Sequence, residues 1–198
     1  MTVARLAERK KLPAEALHKF GLSDTDDGVL FTYVAPDGTP GRTRLRTGMS
    51  GAAGWSWVKG DANPVVAYST PEGLELARSA GYQIVVEGES DCWTAWYHGF
   101  PAVGIPGSEN WDALSRDHLP VSEVFVQVEA EHPRTYPDGV ASYVAAVTRH
   151  IRGLGFTGPV HELHLGDGFR DMSDFYRSDL DGYTAALGSI LDRARLGS

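Results

Sequence analysis

The spacing of hydrophobic and polar residues changes at Pro71, and this change divides the chain into two parts. Upstream, residues 2–11 and the stretch LPAEALHKFG have helical periodicity, with Gly21 placed where a helix would end. The segment VLFTYVAPDGTPGRTRLRT has two β-rich arms around the turn sequence Pro36-Asp37-Gly38-Thr39 and predicts a β-hairpin. We expect a loop over residues 48–63, with a short strand around Trp55–Val58.

From Pro71 onward, helical patterns alternate with short apolar runs. The helical segments are PEGLELARSAG, DCWTAWYHG, NWDALSRDHL, GVASYVAAVTRHIRGLG and the C-terminal stretch, and the strand segments are YQIVVEG, PAVGIPG, SEVFVQVEAE and PVHELHLG. Strands that alternate with helices predict a parallel sheet with right-handed crossovers, which is an α/β fold. We therefore expect an N-terminal helical and hairpin subdomain over residues 1–63 and an α/β domain with a C-terminal helix over residues 64–198.

The composition and net charge of the chain limit the kinds of molecule and membrane that it can bind. The chain has 198 residues, of which 42% are hydrophobic and 22% charged, as in ordinary globular proteins. No apolar run approaches the ~20 residues of a membrane span, and the single cysteine, Cys92, excludes an internal disulfide, so we expect a cytoplasmic protein without a membrane partner. The net charge of −8 means that nucleic acid would have to meet a local basic strip or bound metal ions.

Acidic residues follow several of the predicted strands. Glu87 ends one strand and Asp91 opens the next helix, Glu129 and Glu131 end a later strand, and Asp171 follows a third. The carboxyl ends of parallel strands share one edge, where two carboxylates ~4 Å apart repel by roughly 4 kcal/mol at an effective dielectric of about 20. A cation would relieve this repulsion, and oxygen ligands suit Mg²⁺ or Mn²⁺. The alternative is that Asp91 and Asp171 only cap helices.

Basic residues alternate along the second hairpin arm. Arg42, Arg44 and Arg46 should project from one face of the strand. On an acidic protein such a strip predicts a track for phosphates, and the alternative is an ordinary solvated strand face. The nearby Trp55 and Trp57 either stack on bases or pack between the two subdomains.

The stretch VVEGESDCWTAWYHGFPAVGIPGSENW resembles the first motif of TOPRIM domains, the metal-binding fold of bacterial-type primases and topoisomerases. It is most similar to the versions in primases and primase–helicases of phages and mobile elements. Glu87, Gly88 and Asp91 match the first positions of that motif, and Gly104 and Pro106-Gly107 match its glycine-rich strand.

The later motifs of the family also have counterparts. Its Asp-x-Asp motif reads Glu129-Ala130-Glu131 here, and its Lys-Asp-x-x-Asp motif reads Arg170-Asp171-Met172-Ser173-Asp174. The upstream stretches LHKFGLSDTDDGVLFTYVAPDGTPGRTRLRT and WSWVKG resemble the basic subdomain that precedes TOPRIM in these primases. Lys59 matches a basic position that faces the incoming nucleotide in the family.

The resemblance implies a TOPRIM, Rossmann-like parallel sheet flanked by helices and preceded by a small α+β basic subdomain. It implies a DNA primase catalytic core that acts on a single-stranded DNA template and ribonucleoside triphosphates with Mg²⁺ or Mn²⁺, and a replicative helicase as a further partner. The implied catalytic residues are Glu87, Glu129 and Glu131; the implied metal ligands are these with Asp91 and Asp171; the implied nucleic-acid and nucleotide contacts are Arg42, Arg44, Arg46, Lys59 and Arg170.

Two alternatives stay open. A TOPRIM nuclease would use the same acidic cluster to activate water against a phosphodiester. A catalytically degenerate TOPRIM domain would bind nucleic acid or a replication partner, and the change from Asp-x-Asp to Glu-x-Glu favours this alternative.

Overall fold

The first part of the molecule is a small antiparallel sheet preceded by two helices. The computed structural model describes residues 1–48, 54–129 and 139–197. Helices α1 (Val3–Lys10) and α2 (Ala14–Lys19) precede four strands, β1 (Ser23–Asp24), β2 (Val29–Val34), β3 (Pro40–Arg46) and β4 (Trp55–Trp57), which pair in that order. The amide of Ala35 donates to the carbonyl of Thr39 at 2.9 Å, which closes the predicted hairpin turn.

The second part is a parallel sheet with helices around it. Its strands are β5 (Tyr82–Glu87), β6 (Ala102–Ile105), β7 (Glu123–Val128) and β8 (Val160–His164), in the order β6-β5-β7-β8. The helices are α3 (Pro71–Ala80), α4 (Glu89–Tyr97), α5 (Gly139–Gly153), α6 (Met172–Ser178) and α7 (Tyr183–Leu196). This confirms the predicted α/β fold, and it brings the carboxyl ends of β5, β7 and β8 side by side. In the described ranges no helix combines the length and apolar character that crossing a membrane requires.

The helix predicted for NWDALSRDHL is wrong. The structure has two short 3₁₀ turns there, Trp111–Ala113 and Arg116–His118, separated by extended backbone at the buried Leu114. Ser115 starts the second turn, and its amide donates to the ring Nδ1 of His118 at 3.1 Å. Such local side-chain hydrogen bonds compete with a continuous helix, which explains the failure of the periodicity.

Aromatic side chains join the two sheets. The Phe31 ring on β2 lies 5.7 Å from Trp93 on α4, and the Tyr33 ring lies 5.0 Å from Tyr68. The indole of Trp93 donates to the Tyr68 hydroxyl at 2.9 Å. One apolar cluster therefore includes residues from both sides of residue 63, and the expected domain division at that point stays a prediction.

A buried ion pair fixes α4 to the antiparallel sheet. Arg44 on β3 pairs with Glu89, the first residue of α4, whose side chain is 4% exposed. The hydroxyl of Tyr33 also donates to Glu89, and the guanidinium of Arg44 donates to Tyr33 at 3.2 Å. Burial, with the charge of Glu89, raises the pKa of Tyr33 well above its ordinary value, so the hydroxyl remains a donor. The start of α4 is thus held by two side chains of the antiparallel sheet, which also bond to each other.

Replacing Arg44 with Met should lower the free energy of unfolding by about 3–5 kcal/mol, because it leaves the carboxylate of Glu89 buried without its cation. Urea unfolding measures the change. The matched control is Arg78→Met, which breaks the exposed Arg78–Glu75 pair and should cost about 0–1 kcal/mol. Equal losses in the two variants would mean that the Arg44–Glu89 pair does not hold α4.

Candidate active site

Four acidic side chains meet where β5, β7 and β8 end; we call them the acidic cluster. Glu87 is the last residue of β5, Asp91 lies in the first turn of α4, Glu129 directly follows β7, and Asp171 is the N-cap of α6 after β8. The structure therefore places four of the five predicted acidic residues at one edge of the sheet. The fifth, Glu131, lies outside the described residues.

A tight glycine turn places the first two acids. Gly88 has a φ of 89°, a conformation that L side chains rarely adopt, and α4 starts at the next residue. Its carbonyl oxygen lies 2.8 Å from where a Cβ on Gly104 would sit, so any larger residue at 104 would push β6 away from the turn. The two glycines together let β5 pass directly into α4, which keeps Glu87 and Asp91 at the same edge.

Asp91 and Asp171 are held by hydrogen bonds. One oxygen of the buried Asp91 accepts from the amide of Ser173 at 3.0 Å and from its hydroxyl at 3.1 Å, which ties α4 to α6. Asp171 accepts from the amide of Asp174 at 2.7 Å, as the capping alternative expects. Its second oxygen accepts from Nε of Arg170 at 3.1 Å. Asp171 is thus a helix cap and also a member of the acidic cluster.

Crowding and burial keep protons on these acids. Burial raises the pKa of Glu129 to about 9, and the charges of Glu87, Asp91 and Asp171 add to the effect. Burial and the charge of Asp171 raise the pKa of Asp91 to about 7. Burial also raises the pKa of Glu87, against the hydrogen bond that the amide of Ser108 donates at 3.2 Å. Without a cation, the cluster cannot be fully ionised at neutral pH.

The donor set suits a hard divalent cation. Carboxylate oxygens are the ligands that Mg²⁺ and Mn²⁺ take, and a bound cation would offset the repulsion that raises these pKa values. Among the side chains of the described ranges, no three His, Cys, Asp or Glu already converge as ligands of one ion. The predicted metal site of Glu87, Asp91, Glu129, Glu131 and Asp171 stays a prediction.

Lys10 brings a cation to the cluster that the sequence motifs did not indicate. It ends α1, and the hydroxyl of Tyr176 on α6 donates to the neighbouring carbonyl of Lys11 at 2.8 Å. Burial lowers the pKa of Lys10, while the nearby charges of Asp91 and Asp171 act in the opposite direction. The closeness of Lys10 to these two acids depends on how α1 docks against α6, so the local sequence does not predict it.

The arginine strip lies on one face of β3, and its members alternate with tryptophan rings. The guanidinium carbon of Arg46 lies 3.9 Å from the centre of the Trp55 ring, and that of Arg42 lies 5.8 Å from Trp57. Arg44 lies 5.1 Å from both rings. Only 4% of Arg46 is exposed, and burial lowers its pKa to about 10. This is a packed face and not the solvated one of the alternative.

The proposed contacts with phosphate remain predictions for every basic residue. Arg42 is half-buried and donates to the carbonyl of Asp61 at 3.2 Å, whereas Lys59 is exposed. Arg170 is more than half exposed and lies 3.0 Å from Asp171 and 3.7 Å from Asp174. Arg170 is therefore the predicted basic residue that the structure places directly at the acidic cluster.

A cavity gives access to the cluster from the side of β8. It has a volume of about 220 Å³ and lies between the ends of β7 and β8. Val128, Glu129, His164 and the loop of residues 165–169 line it. A small polar ligand could therefore reach the carboxylate of Glu129 without displacing a helix.

No protein-family model and no curated protein sequence matches the chain. Solved structures do share its fold. The DnaG primase catalytic domain bound to single-stranded DNA aligns with 98% of this chain and 72% of its own, with a TM-score of 0.68 and 15% identity. The chain has the fold of the bacterial primase catalytic core.

Two further primase structures agree. The RNA polymerase domain of Mycobacterium tuberculosis DnaG aligns over 96% of this chain and 75% of its own, with a TM-score of 0.61 and 15% identity. The Aquifex aeolicus primase with its zinc-binding and RNA polymerase domains aligns over 96% of this chain but 48% of its own, with a TM-score of 0.62 and 14% identity. This chain thus spans about half the length of the Aquifex primase chain, and nearly all of this chain aligns with that half.

In metal-free protein, the free energy of unfolding should fall as the pH rises from about 5 to about 9. Asp91 and Glu129 have folded-state pKa values of about 7 and 9, above the ~4 of unfolded chains, so the folded state keeps protons that the unfolded state releases. Urea unfolding in a pH series measures the decline.

Glu129→Gln is the matched variant for this experiment. It removes the group with the higher pKa, so the decline between about pH 7 and 9 should disappear and a shallower decline should remain at lower pH, where Asp91 still contributes. A flat profile in the parent protein, or an identical one in the variant, would contradict the crowding of the acidic cluster.

Proposed function

We propose that this chain is the catalytic core of a DNA primase, which makes RNA primers on a single-stranded DNA template in a divalent-cation-dependent reaction. The observation that supports the proposal most is the acidic cluster on a primase fold, where burial and crowding hold the pKa of Glu129 near 9. An acidic group of this kind is costly without a cation, and Mg²⁺ and Mn²⁺ are the cations that its oxygen ligands fit.

The bound cations would lower the pKa of an attacking 3′-hydroxyl and offset the charge of the leaving pyrophosphate. The side chains of this protein would do the rest. Glu87 and Glu129, with Glu131, would hold the reacting groups at the strand ends, and Asp91 keeps α4 and α6 together through Ser173. The cluster lies at strand ends and helix starts, which fix the backbone positions of its acids before substrate binds.

Basic residues around the cluster suit an anionic substrate. Arg170 contacts Asp171, and Lys10 is close enough for the charges of Asp91 and Asp171 to act on it, so both would meet the triphosphate of a ribonucleotide. Arg42 on β3 would contact the template, and the exposed Lys59 after β4 would steer the template or the incoming nucleotide. Two of the similar primases were solved with DNA, one with single-stranded DNA and one with a duplex that has a 6-nucleotide overhang, which supports this assignment.

We further propose that the primase serves the replication of a phage or mobile element and works with a replicative helicase. The support is the resemblance of the first motif, from Glu87 to Gly107, and of the stretch WSWVKG to primases of that branch. Co-purification of the tagged full chain from its host, followed by identification of bound helicase, tests the partnership.

Glu87→Gln should abolish primer synthesis while the metal-free protein is as stable as its parent or more stable. The substitution removes one charge from a crowded acidic cluster and retains the shape of the side chain. The assay uses labelled ribonucleotides, a single-stranded template and either Mg²⁺ or Mn²⁺, and urea unfolding measures stability. Glu75→Gln, an exposed glutamate on α3, is the control and should leave synthesis unchanged.

The same assay separates the alternatives. Extension of ribonucleotides by the parent protein supports a primase, and loss of template without extension supports a nuclease. Neither activity, together with no saturable Mn²⁺ binding, would support the degenerate domain and overturn the proposal.

Lys10→Met should act on metal and nucleotide in opposite directions. Without the ammonium beside Asp91 and Asp171, we expect Mn²⁺ to bind more tightly, because its positive neighbour is gone. The KM for the ribonucleotide should rise about tenfold, equivalent to ~1.4 kcal/mol, because a phosphate contact is lost. Titration of Mn²⁺ and steady-state kinetics measure the two effects.

The control for this variant is Lys19→Met, at the exposed end of α2. It should change neither value. A rise in KM together with weaker Mn²⁺ binding would mean that Lys10 only supports the local fold and does not contact the nucleotide.

A further inference from the structure

Tyr143 carries a buried hydroxyl that the reaction described above does not use. It lies on α5, is 7% exposed, and its ring belongs to the apolar cluster between α5 and the parallel sheet. In the part of the chain that the structure describes, its hydroxyl has no hydrogen-bond partner. A buried hydroxyl without a partner is costly, so its retention calls for a ligand or a second state in which it is paired.

The geometry of the sheet places Tyr143 on the same side as Glu87. Val85 belongs to the same apolar cluster as Tyr143, and side chains two positions apart on a strand face the same side. Glu87 therefore lies on the face of the sheet that carries this apolar cluster, at the carboxyl end of β5. Burial, with the charges of Glu87 and Glu129, raises the pKa of Tyr143 well above its ordinary value, so the hydroxyl stays a donor.

Glu87 has room for another donor. In the described ranges, its side chain takes one hydrogen bond, from the amide of Ser108 to one oxygen at 3.2 Å. A glutamate side chain loses considerable rotamer freedom when it is fixed, so a second donor from the opposite side would hold it in one orientation. The Ser108 amide comes from the loop after β6 and the Tyr143 hydroxyl from α5, so the two donors would come from different elements.

We infer that Tyr143 is a positioning residue whose hydroxyl donates a hydrogen bond to the carboxylate of Glu87 when the acidic cluster is loaded with its cation. The inference rests on the proposed function, because Glu87 is a proposed ligand and catalytic group. Within residues 1–48, 54–129 and 139–197 the hydroxyl has no hydrogen-bond partner, and a loaded cluster would bring the carboxylate of Glu87 within its reach. Partners of this kind, one step removed from a metal, commonly contribute about 10–100-fold to metal affinity or activity.

Tyr143→Phe tests this assignment without changing the size of the side chain. The metal-free variant should unfold at the same urea concentration as its parent or higher, because an unpaired buried hydroxyl is removed. Its Mn²⁺ affinity, measured from the electron paramagnetic resonance signal of free Mn²⁺, should fall about 10-fold or more. Primer synthesis should show a lower kcat and an unchanged KM for the template.

The control is Tyr82→Phe, at the opposite end of the strand that ends at Glu87. It should leave Mn²⁺ affinity unchanged. Unchanged affinity and kcat in Tyr143→Phe would overturn the inference, as would a clear loss of metal-free stability, which would mark a structural hydroxyl.

The two proposals fail in different ways. If the parent protein makes no primers but Tyr143→Phe still weakens Mn²⁺ binding, the primase assignment falls and the positioning role stands. If the parent makes primers and Tyr143→Phe matches it in Mn²⁺ affinity and kcat, the primase assignment stands and the positioning role falls. A parent that binds no Mn²⁺ contradicts both.

Discussion

Repulsion among buried carboxylates is the constraint on which the rest of this structure depends. Four buried or half-buried acids lie together at the ends of β5, β7 and β8, and the pKa of Glu129 is raised most, to about 9. Neighbouring groups reduce this repulsion: Ser173 donates twice to Asp91, Arg170 donates to Asp171, and the charge of Lys10 acts on both aspartates. A bound divalent cation would offset the repulsion that these neighbours leave between the carboxylates.

Glu87, Glu89 and Asp91 lie within five positions of the chain but have two separate structural roles. Glu89 and Asp91 are two residues apart, which places them on nearly opposite sides of α4 at about 3.6 residues per turn. Asp91 therefore faces the acidic cluster, and Glu89 faces Arg44 and Tyr33 of the antiparallel sheet. The same helix start thus holds the cluster and fixes it to the first part of the molecule, so a disturbance of the Arg44–Glu89 pair would move Asp91.

Sequence reasoning succeeded where local pattern and topology suffice. The alternation of strands and helices predicts the parallel sheet, and the strand ends predict that Glu87, Glu129 and Asp171 share an edge. It failed for the helix over NWDALSRDHL, where Ser115 offers its own hydrogen bonds, and it had no access to Lys10 or Tyr143. Those two residues come near the cluster only because α1 docks on α6 and α5 packs against β7, and neither packing has a signal in the local sequence.

Several basic residues of this acidic chain lie close to one another, from the hairpin to α1. Arg42, Arg44 and Arg46 lie over the rings of Trp55 and Trp57, and Arg46 is close enough to Lys10 to lower its pKa further. The charges of Asp91 and Asp171 act on Lys10 in the opposite direction. Basic side chains therefore extend from the hairpin toward the acidic cluster, although the whole chain carries a net charge of −8. Because Arg44 is paired with Glu89 and Arg46 is 4% exposed, these two arginines act on the cluster through their charge and packing and not as an open surface.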